Sequence, residues 1–150
     1  LRISIESDPS TLDPIYAVDL TSQKINSLLF VKLFKFNKNG KVEGDLVKEF
    51  FLEKDSLNIK LKQLDTSSKI KLTADDVMYS LNRLKTEKGP RKSKYSFLKG
   101  FYKISDSELK IKLDSMSLKN IELLALAPAS IYQEIAHRQD GSFKSSGIYK

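Results

Sequence analysis

Few side chains in this sequence could carry out chemistry. The 150 residues contain no cysteine and a single histidine, His137. Thiolate nucleophiles, disulfides and paired-histidine metal sites are therefore excluded. A Ser-His-Asp hydrolase would depend on His137, but the sequence lacks the Gly-x-Ser-x-Gly turn that exposes such a serine. It also lacks the Gly-x-Gly-x-x-Gly and Gly-Lys-Ser/Thr loops that bind phosphates.

The adjacent acidic residues Asp75 and Asp76 do not form a catalytic pair either. Neighbouring side chains on a helix point about 100° apart, so these two carboxylates cannot share a proton or a substrate atom. A lone histidine such as His137 is usually solvated or caps a helix. We therefore predict that the protein is not an enzyme and that it holds no cofactor and no metal ion.

The charge of the chain leaves one further class of function open. The net charge is +7, from 26 basic and 19 acidic residues, and lysines supply most of the positive charge. The only dense basic run is Arg91-Lys92-Ser93-Lys94. A basic interaction domain or nucleic-acid-binding domain is the alternative interpretation, and binding whose affinity falls steeply with salt would favour it.

The stretch from Leu72 to Leu84 has strong signals for a helix. Thr73 suits the N-cap position, and the two aspartates after it place negative charge in the first turn, where the helix dipole favours it. Gly89-Pro90 marks the end of the helix. Apolar residues recur on one face at helical spacing: Ala74, Val77, Leu81 and Leu84. The pattern predicts a helix that buries this face in a core.

Apolar periodicity in the rest of the chain predicts a mixed α/β (α+β) fold with an antiparallel component. Helices are expected from about Thr21, after Ser117 and after Ser130. In the first of them the apolar stripe comprises Ile25, Leu28, Leu29 and Leu33. The expected strands and hairpin span residues 1–5, 34–36, 57–61 and 102–113.

Residues 7–14 read Ser-Asp-Pro-Ser-Thr-Leu-Asp-Pro, and their two Asp-Pro steps indicate a rigid, extended loop. Residues 72–77 read Leu-Thr-Ala-Asp-Asp-Val and are followed by Tyr79-Ser80 and Arg83-Leu84. Both stretches, in this order, resemble motifs of the peptide- and nickel-type (family 5) extracellular solute-binding proteins of ABC importers.

Two other stretches resemble the same family less closely. After Gly40, the chain has Gly44 and Phe50 where the family has a proline and a tryptophan. At the end, Gly147 and Tyr149 match a family segment that reads Gly-Thr-Gly-Pro-Tyr. The resemblance thus extends over essentially the whole chain.

The resemblance implies the N-terminal portion of a periplasmic-binding-protein-like fold with two lobes. Residues 1–30 would begin the main lobe with a strand, the Asp/Pro loop and a helix. Residues 31–143 would form a small inserted subdomain, and residues 144–150 would return to the main lobe. Because family members are much longer, we expect the second ligand-binding lobe to lie outside these 150 residues, which would make the chain a fragment.

The same resemblance implies a ligand-binding segment at Ala17, Val18, Asp19 and Leu20, which follow the loop and lie beside the cleft in the family. The alternative for this segment is a plain surface turn. A contact between Tyr95 and the ligand is also implied, because the aromatic segment after Gly89-Pro90 occupies a region that faces the cleft. The alternative is that Tyr95 and its neighbour Phe97 pack onto the core.

The function implied by the resemblance is that of a substrate-binding component for oligopeptides, dipeptides or nickel complexes. Its partners would be a peptide ligand and the ABC permease of the inner membrane, with no nucleic acid, and it would act as a monomer. It would be located in the periplasm or, as a lipoprotein, anchored on the outside of a membrane. The chain begins at Leu1 without a visible signal peptide.

Overall fold

The computed structural model describes residues 7–63, 71–115 and 117–134. The predicted strand at residues 1–5, His137, Gly147, Tyr149 and the boundary at residues 144–150 lie outside these ranges. In chain order the elements are α1 (Leu20–Leu29), β1 (Val31–Lys32), β2 (Phe34–Phe36), β3 (Val42–Gly44), β4 (Val47–Glu53), β5 (Ser56–Leu61), α2 (Ala74–Thr86), β6 (Leu98–Ser105), β7 (Glu108–Leu113), α3 (Leu118–Leu123) and β8 (Ser130–Ile131). Within the described ranges, no helix has the length and apolar character to cross a membrane.

Four strands form the main sheet in the order β4-β5-β7-β6, and all neighbours are antiparallel. The short strands form two further antiparallel pairs, β2 with β3 and β1 with β8. Successive side chains of a strand point to opposite faces, so the alternating sequence buries one face of the sheet. The buried apolar residues of β5 and β7 are Leu57, Ile59, Leu61, Leu109, Ile111 and Leu113. The predicted strand at 57–61 and hairpin at 102–113 are confirmed.

The hairpin of β2 and β3 also forms where the sequence predicts it. Gly40 lies in its turn with a φ of 72°, a left-handed conformation that glycine adopts without a steric penalty. The Asn37 side chain closes the turn by accepting hydrogen bonds from the backbone N–H groups of Asn39 and Lys41. The predicted turn at Asn39-Gly40 is therefore confirmed.

Helix α2 begins and ends as predicted. Thr73 is its N-cap, and Asp76 Oδ2 accepts hydrogen bonds from the Thr73 backbone N–H at 2.8 Å and the Thr73 hydroxyl at 2.9 Å. The helix stops at Thr86, shortly before Gly89-Pro90. Its predicted apolar stripe is buried in the hydrophobic core: Ala74, Val77, Leu81 and Leu84. The helix thus covers one face of the sheet, with contacts to β6.

Helix α1 forms where predicted, but the prediction of its buried face is wrong. Ile25, Leu28 and Leu29 are only half-buried, whereas Ser22 and Asn26 are buried. The helix turns its polar side toward the Asp/Pro loop, where the Thr11 backbone N–H donates to the Ser22 hydroxyl at 3.3 Å. Neither polar atom of the Asn26 side chain has a hydrogen-bond partner among the described residues, and the structure gives no reason for this.

The predictions for the last part of the described chain are partly wrong. Ser117 caps α3 as expected, accepting from the Asn120 backbone N–H at 3.2 Å. At the predicted start of the last helix, Ser130 and Ile131 instead form strand β8, which pairs with β1 and buries Ile131. The predicted helix from residue 135 onward lies outside the described residues. The Ser130 hydroxyl donates backward to the Ala127 carbonyl at 2.6 Å. Tertiary pairing outweighs the local capping signal.

A substitution in the core tests the position of α2. We expect Leu81→Ala to lower the free energy of unfolding by about 2–5 kcal/mol, because it removes a fully buried side chain and leaves a cavity. The exposed neighbour Asn82 provides the matched control, and Asn82→Ala should change stability by about 0.5 kcal/mol or less. Urea unfolding measures both variants. Equal effects would contradict the burial of this helix face.

Candidate ligand-binding site

The loop before α1 is held rigid by bonds within itself. The Asp13 carbonyl accepts hydrogen bonds from the backbone N–H groups of Tyr16 and Ala17, both at 3.1 Å. The Asp13 carboxylate accepts from the backbone N–H of Ile15 at 3.1 Å. Pro14 and Ile15 are buried, so the loop turns back on itself and then projects Val18 and Leu20 outward. The sequence prediction of a rigid segment here agrees with this geometry.

The four residues predicted to bind ligand have different environments. Val18 is 54% exposed and Leu20 is 75% exposed, so two apolar side chains project from the loop into solvent. Ala17 is only 1% exposed, and its side chain packs inward. The structure therefore leaves the side chains of Val18 and Leu20 accessible, whereas Ala17 is buried and its N–H already donates to the Asp13 carbonyl.

Asp19 has a structural task as the N-cap of α1. One carboxylate oxygen accepts from the Ser22 backbone N–H at 2.7 Å, and the other accepts from the Ser10 hydroxyl at 2.5 Å. The hydrogen bonds from Ser10 and Ser22 hold the pKa of the Asp19 carboxyl well below its usual range. Its carboxylate connects the start of the loop to the start of α1. A direct contact between Asp19 and a ligand stays a prediction.

Arg83 of α2 connects the loop to the helix from the inside of the protein. It is only 7% exposed, and its Nη2 donates to Asp13 Oδ2 at 2.9 Å and to Glu87 Oε2 at 2.8 Å. Its Nη1 donates to the Tyr132 hydroxyl at 2.7 Å, and its Nε donates to Glu87 Oε1. Burial acts to lower the pKa of Arg83, but the hydrogen bonds to Glu87 and Asp13 raise it overall. The guanidinium is thus charged and paired on each side.

Ser80, one turn before Arg83 on α2, holds the backbone of Tyr132, which belongs to the same network. Its hydroxyl accepts from the Tyr132 backbone N–H at 3.0 Å, and it lies 2.8 Å from the Asp76 carbonyl. The Tyr132 ring lies 5.7 Å from the Arg83 guanidinium carbon, a cation–π distance. Burial is the main cause that raises the pKa of the Tyr132 hydroxyl, which therefore remains protonated and neutral.

Sequence reasoning did not anticipate that these residues form one network. The signal was present, because Asp13 lies in the first motif and Ser80 and Arg83 lie in the second. The motifs could not show that Asp13 of the first and Arg83 of the second form an ion pair, although they lie 70 positions apart in sequence. The structure also adds Tyr132 and Glu87, which no motif singled out.

Tyr95 lies in the hydrophobic core. It is 1% exposed, its hydroxyl donates to the Leu123 carbonyl at 3.1 Å, and its ring lies 6.2 Å from that of the buried Phe97. The alternative in which both aromatic residues pack onto the core is the arrangement found. A contact between Tyr95 and a ligand stays an untested prediction, and this burial counts against it.

The described residues contain no cluster of side chains suited to binding a metal ion. No group of three or more His, Cys, Asp or Glu side chains within residues 7–63, 71–115 and 117–134 could hold a metal ion. The rigid loop is the candidate site, because the motif resemblance implies a ligand there and the side chains of Val18 and Leu20 are exposed.

Comparison with known proteins assigns the fold. No family model matches the chain, and no curated protein matches it in sequence. Solved structures do match. The binding protein AgaA from A. tumefaciens R10, in complex with agropinic acid, superposes with a TM-score of 0.79 over 85% of this chain, at 21% identity. The chain has the fold of one part of a two-lobe periplasmic binding protein. It spans 27% of AgaA.

Two other solved structures superpose in the same way. The murein tripeptide binding protein MppA of Escherichia coli matches 88% of this chain with a TM-score of 0.78 and 20% identity, and the chain spans 30% of MppA. The oligopeptide-binding protein AppA of Bacillus subtilis, in complex with a nonapeptide, matches 85% with a TM-score of 0.74 and 25% identity, and the chain spans 26% of AppA. These are family 5 binding proteins, so the resemblance predicted from the motifs is confirmed as a resemblance in fold.

Breaking the ion pair between Asp13 and Arg83 should be strongly destabilising. We expect Arg83→Met to lower the free energy of unfolding by about 3–5 kcal/mol, because it leaves the buried Asp13 carboxylate without its partner. Arg91→Met, which removes a more exposed arginine, should cost about 0.5 kcal/mol or less.

A double-mutant cycle with Asp13→Asn measures the interaction itself. We expect the two substitutions together to cost less than the sum of their separate effects, by about 1–3 kcal/mol. Additive effects would show that the two side chains do not interact as the structure indicates.

The lowered pKa of Asp19 predicts a specific dependence of stability on pH. The stabilising contribution of the ionised carboxylate is complete above the usual carboxyl pKa of about 3.9 and is lost as the pH falls below it. Asparagine also caps helices well, so Asp19→Asn should fold, but without this dependence on acid. The difference in unfolding free energy between the two proteins should shrink as the pH falls.

Urea unfolding at a series of acidic pH values measures this difference. The exposed residue Asp8 in the same loop provides the control, and Asp8→Asn should retain the pH dependence of the unsubstituted chain. An Asp19→Asn protein that loses stability in acid as steeply as the unsubstituted chain would contradict the role of these hydrogen bonds.

Proposed function

We propose that the chain is part of the substrate-binding component of an ABC importer that takes up oligopeptides, dipeptides or nickel complexes. The observation that carries this proposal is the superposition on MppA and AppA, which bind murein tripeptide and a nonapeptide, over 85–88% of the chain. The protein would bind its solute without transforming it, and its partner would be the permease. Its place would be outside the cytoplasmic membrane, in the periplasm or on a lipid anchor.

The loop geometry supports recognition of a peptide ligand through residues 17–20. Val18 and Leu20 present apolar side chains to solvent, and the Val18 backbone N–H has no hydrogen-bond partner among the described residues. An extended peptide can pair with such a backbone group without its sequence being read, as in strand addition. The Val18 carbonyl is already engaged by the Gln23 side chain at 2.8 Å, which helps to fix the orientation of the peptide group.

The division into lobes belongs to the same proposal. Residues 1–30 would begin the main lobe, residues 31–143 would form the small subdomain, and residues 144–150 would return to the main lobe. The second lobe would lie outside the 150 residues and would close over the ligand. Closure excludes water and supplies contacts from the opposite side, so the chain by itself should bind weakly.

The alternative of a nucleic-acid-binding domain has less support. Proteins that bind single strands combine basic residues with exposed aromatic rings on which bases stack. In this chain the aromatic residues next to the Arg91–Lys94 run, Tyr95 and Phe97, are buried in the core. The run retains its charge, but these two neighbouring rings are not exposed for bases to stack on.

Titration with short peptides, followed by NMR, tests the proposal. A micromolar ligand is bound with about 8 kcal/mol, so half of the contacts would leave an affinity near millimolar. We expect weak binding of that order by the 150-residue chain, with the largest shifts at Val18–Leu20, and a cooperative thermal transition. The substitution Val18→Asp should abolish the shifts.

The exposed Lys41 in the turn between β2 and β3 provides the control, and Lys41→Asp should leave peptide binding unchanged. Micromolar binding by the chain alone would contradict the requirement for a second lobe. Shifts confined to residues away from the loop would contradict the proposed site.

A further inference from the structure

A second surface of the chain, outside the ligand-binding loop, is rich in lysine. A groove of about 620 Å³ lies between the end of α2, the segment at Gly89–Ser96 and the start of β6. Three lysines line it, Lys85, Lys92 and Lys99, together with the serines Ser93 and Ser96. Among the described residues no carboxylate lines this groove, so the charged groups in its lining are all positive.

The ammonium groups of these lysines keep most of their hydrogen-bonding capacity. Lys85 Nζ donates to the Lys99 carbonyl at 2.7 Å, and Lys92 Nζ donates to the Thr86 carbonyl at 3.0 Å. Each ammonium has three donors, so each retains two. Among the described residues neither Lys85 nor Lys92 forms a salt bridge, and Lys99 pairs with Asp114 at 3.3 Å at the edge of the groove.

A second lysine-lined groove on the molecule differs in this respect. It is lined by Lys48, Lys60 and Lys62. Two of these charges are compensated, because Lys48 pairs with Glu49 at 3.8 Å and Lys60 pairs with Glu108 at 3.5 Å. The positive charge of the groove beside α2 is therefore less compensated than that of the other lysine-lined surface.

The groove beside α2 also adjoins the candidate ligand loop. Gly89, which lines the groove, lies directly against Ile15, since a Cβ atom at Gly89 would come within 2.4 Å of Ile15 Cγ2. The next residue, Tyr16, donates its hydroxyl to Glu87 at 3.2 Å. The groove and the segment that carries the loop are thus held together by close packing at Gly89 and Ile15.

We propose that this groove binds an anionic group, a carboxylate or a phosphate, carried by a small solute that also contacts the loop. The proposal rests on the proposed function, because it takes the loop as the place where the solute lies. Lys85 and Lys92 would donate to the anion, and the hydroxyls of Ser93 and Ser96 would add neutral donors. The solutes preferred by this chain would then be acidic.

A matched pair of peptides tests the inference. The probes are the acetylated, amidated tripeptides of aspartate and of asparagine, which differ in side-chain charge alone, titrated by NMR at fixed ionic strength. We expect the aspartate peptide to bind about tenfold more tightly, with shifts at Lys85, Lys92 and the loop, and to lose affinity as salt rises.

Three variants locate the effect. Lys85→Gln and Lys92→Gln should each weaken binding of the aspartate peptide several-fold and leave binding of the asparagine peptide unchanged. Lys41→Gln removes the same charge from the turn between β2 and β3, and it should change neither affinity by more than about twofold if long-range attraction is screened. All three lysines are at least partly exposed, so these substitutions should not prevent folding.

The outcomes separate this inference from the proposed function. Equal affinities for both peptides, with shifts at Val18–Leu20, would overturn the anion site and leave peptide binding intact. Aspartate-peptide binding that Lys41→Gln weakens as much as Lys92→Gln would show a general charge effect and would also overturn it. Binding to phosphatidylglycerol vesicles through Lys85 and Lys92, without tripeptide binding, would assign the groove to lipid headgroups instead.

Discussion

The buried ion pair between Arg83 and Asp13 is the interaction on which the arrangement of this chain depends. A buried guanidinium is tolerated only where its charge and its donors are paired, since an unpaired buried charge is strongly destabilising. Here Asp13, Glu87 and the Tyr132 hydroxyl surround it. Because the three partners come from the first loop, from the residue that follows α2 and from the segment after β8, the pairing ties distant parts of the chain to one helix.

This pairing places the candidate ligand site at the edge of a rigid body. Asp13 carries both the ion pair and the backbone bonds that shape the turn to Ala17, so the direction in which Val18 and Leu20 project follows from the position of Arg83. Asp19 then connects the turn to α1 through Ser10 and Ser22. The loop can therefore meet a solute without first being ordered, and preorganisation of this kind reduces the entropic cost of binding.

The sheet and the loop have different roles in the candidate site. The alternating strands β5 and β7 and the stripe of α2 supply the hydrophobic core, which gives the loop and the lysine-lined groove their common support. Gly89 joins these two surfaces, because a side chain at this position would collide with Ile15. A solute that contacts both surfaces would meet apolar side chains on one side and ammonium groups on the other, a combination suited to an acidic peptide.

Local signals in the sequence determined α2, its cap at Thr73, the turn at Gly40 and the strands β5 and β7, because each depends on residues close together in the chain. The two motifs also predicted the type of fold, through their resemblance to a known family. Only the tertiary structure decided that α1 buries Ser22 and Asn26 instead of its apolar stripe, that Ser130 enters a strand, and that Tyr95 belongs to the core. The pairing of Asp13 with Arg83 was decided there too. Each of these depends on contacts with residues far away in sequence, whose positions periodicity and capping patterns do not encode.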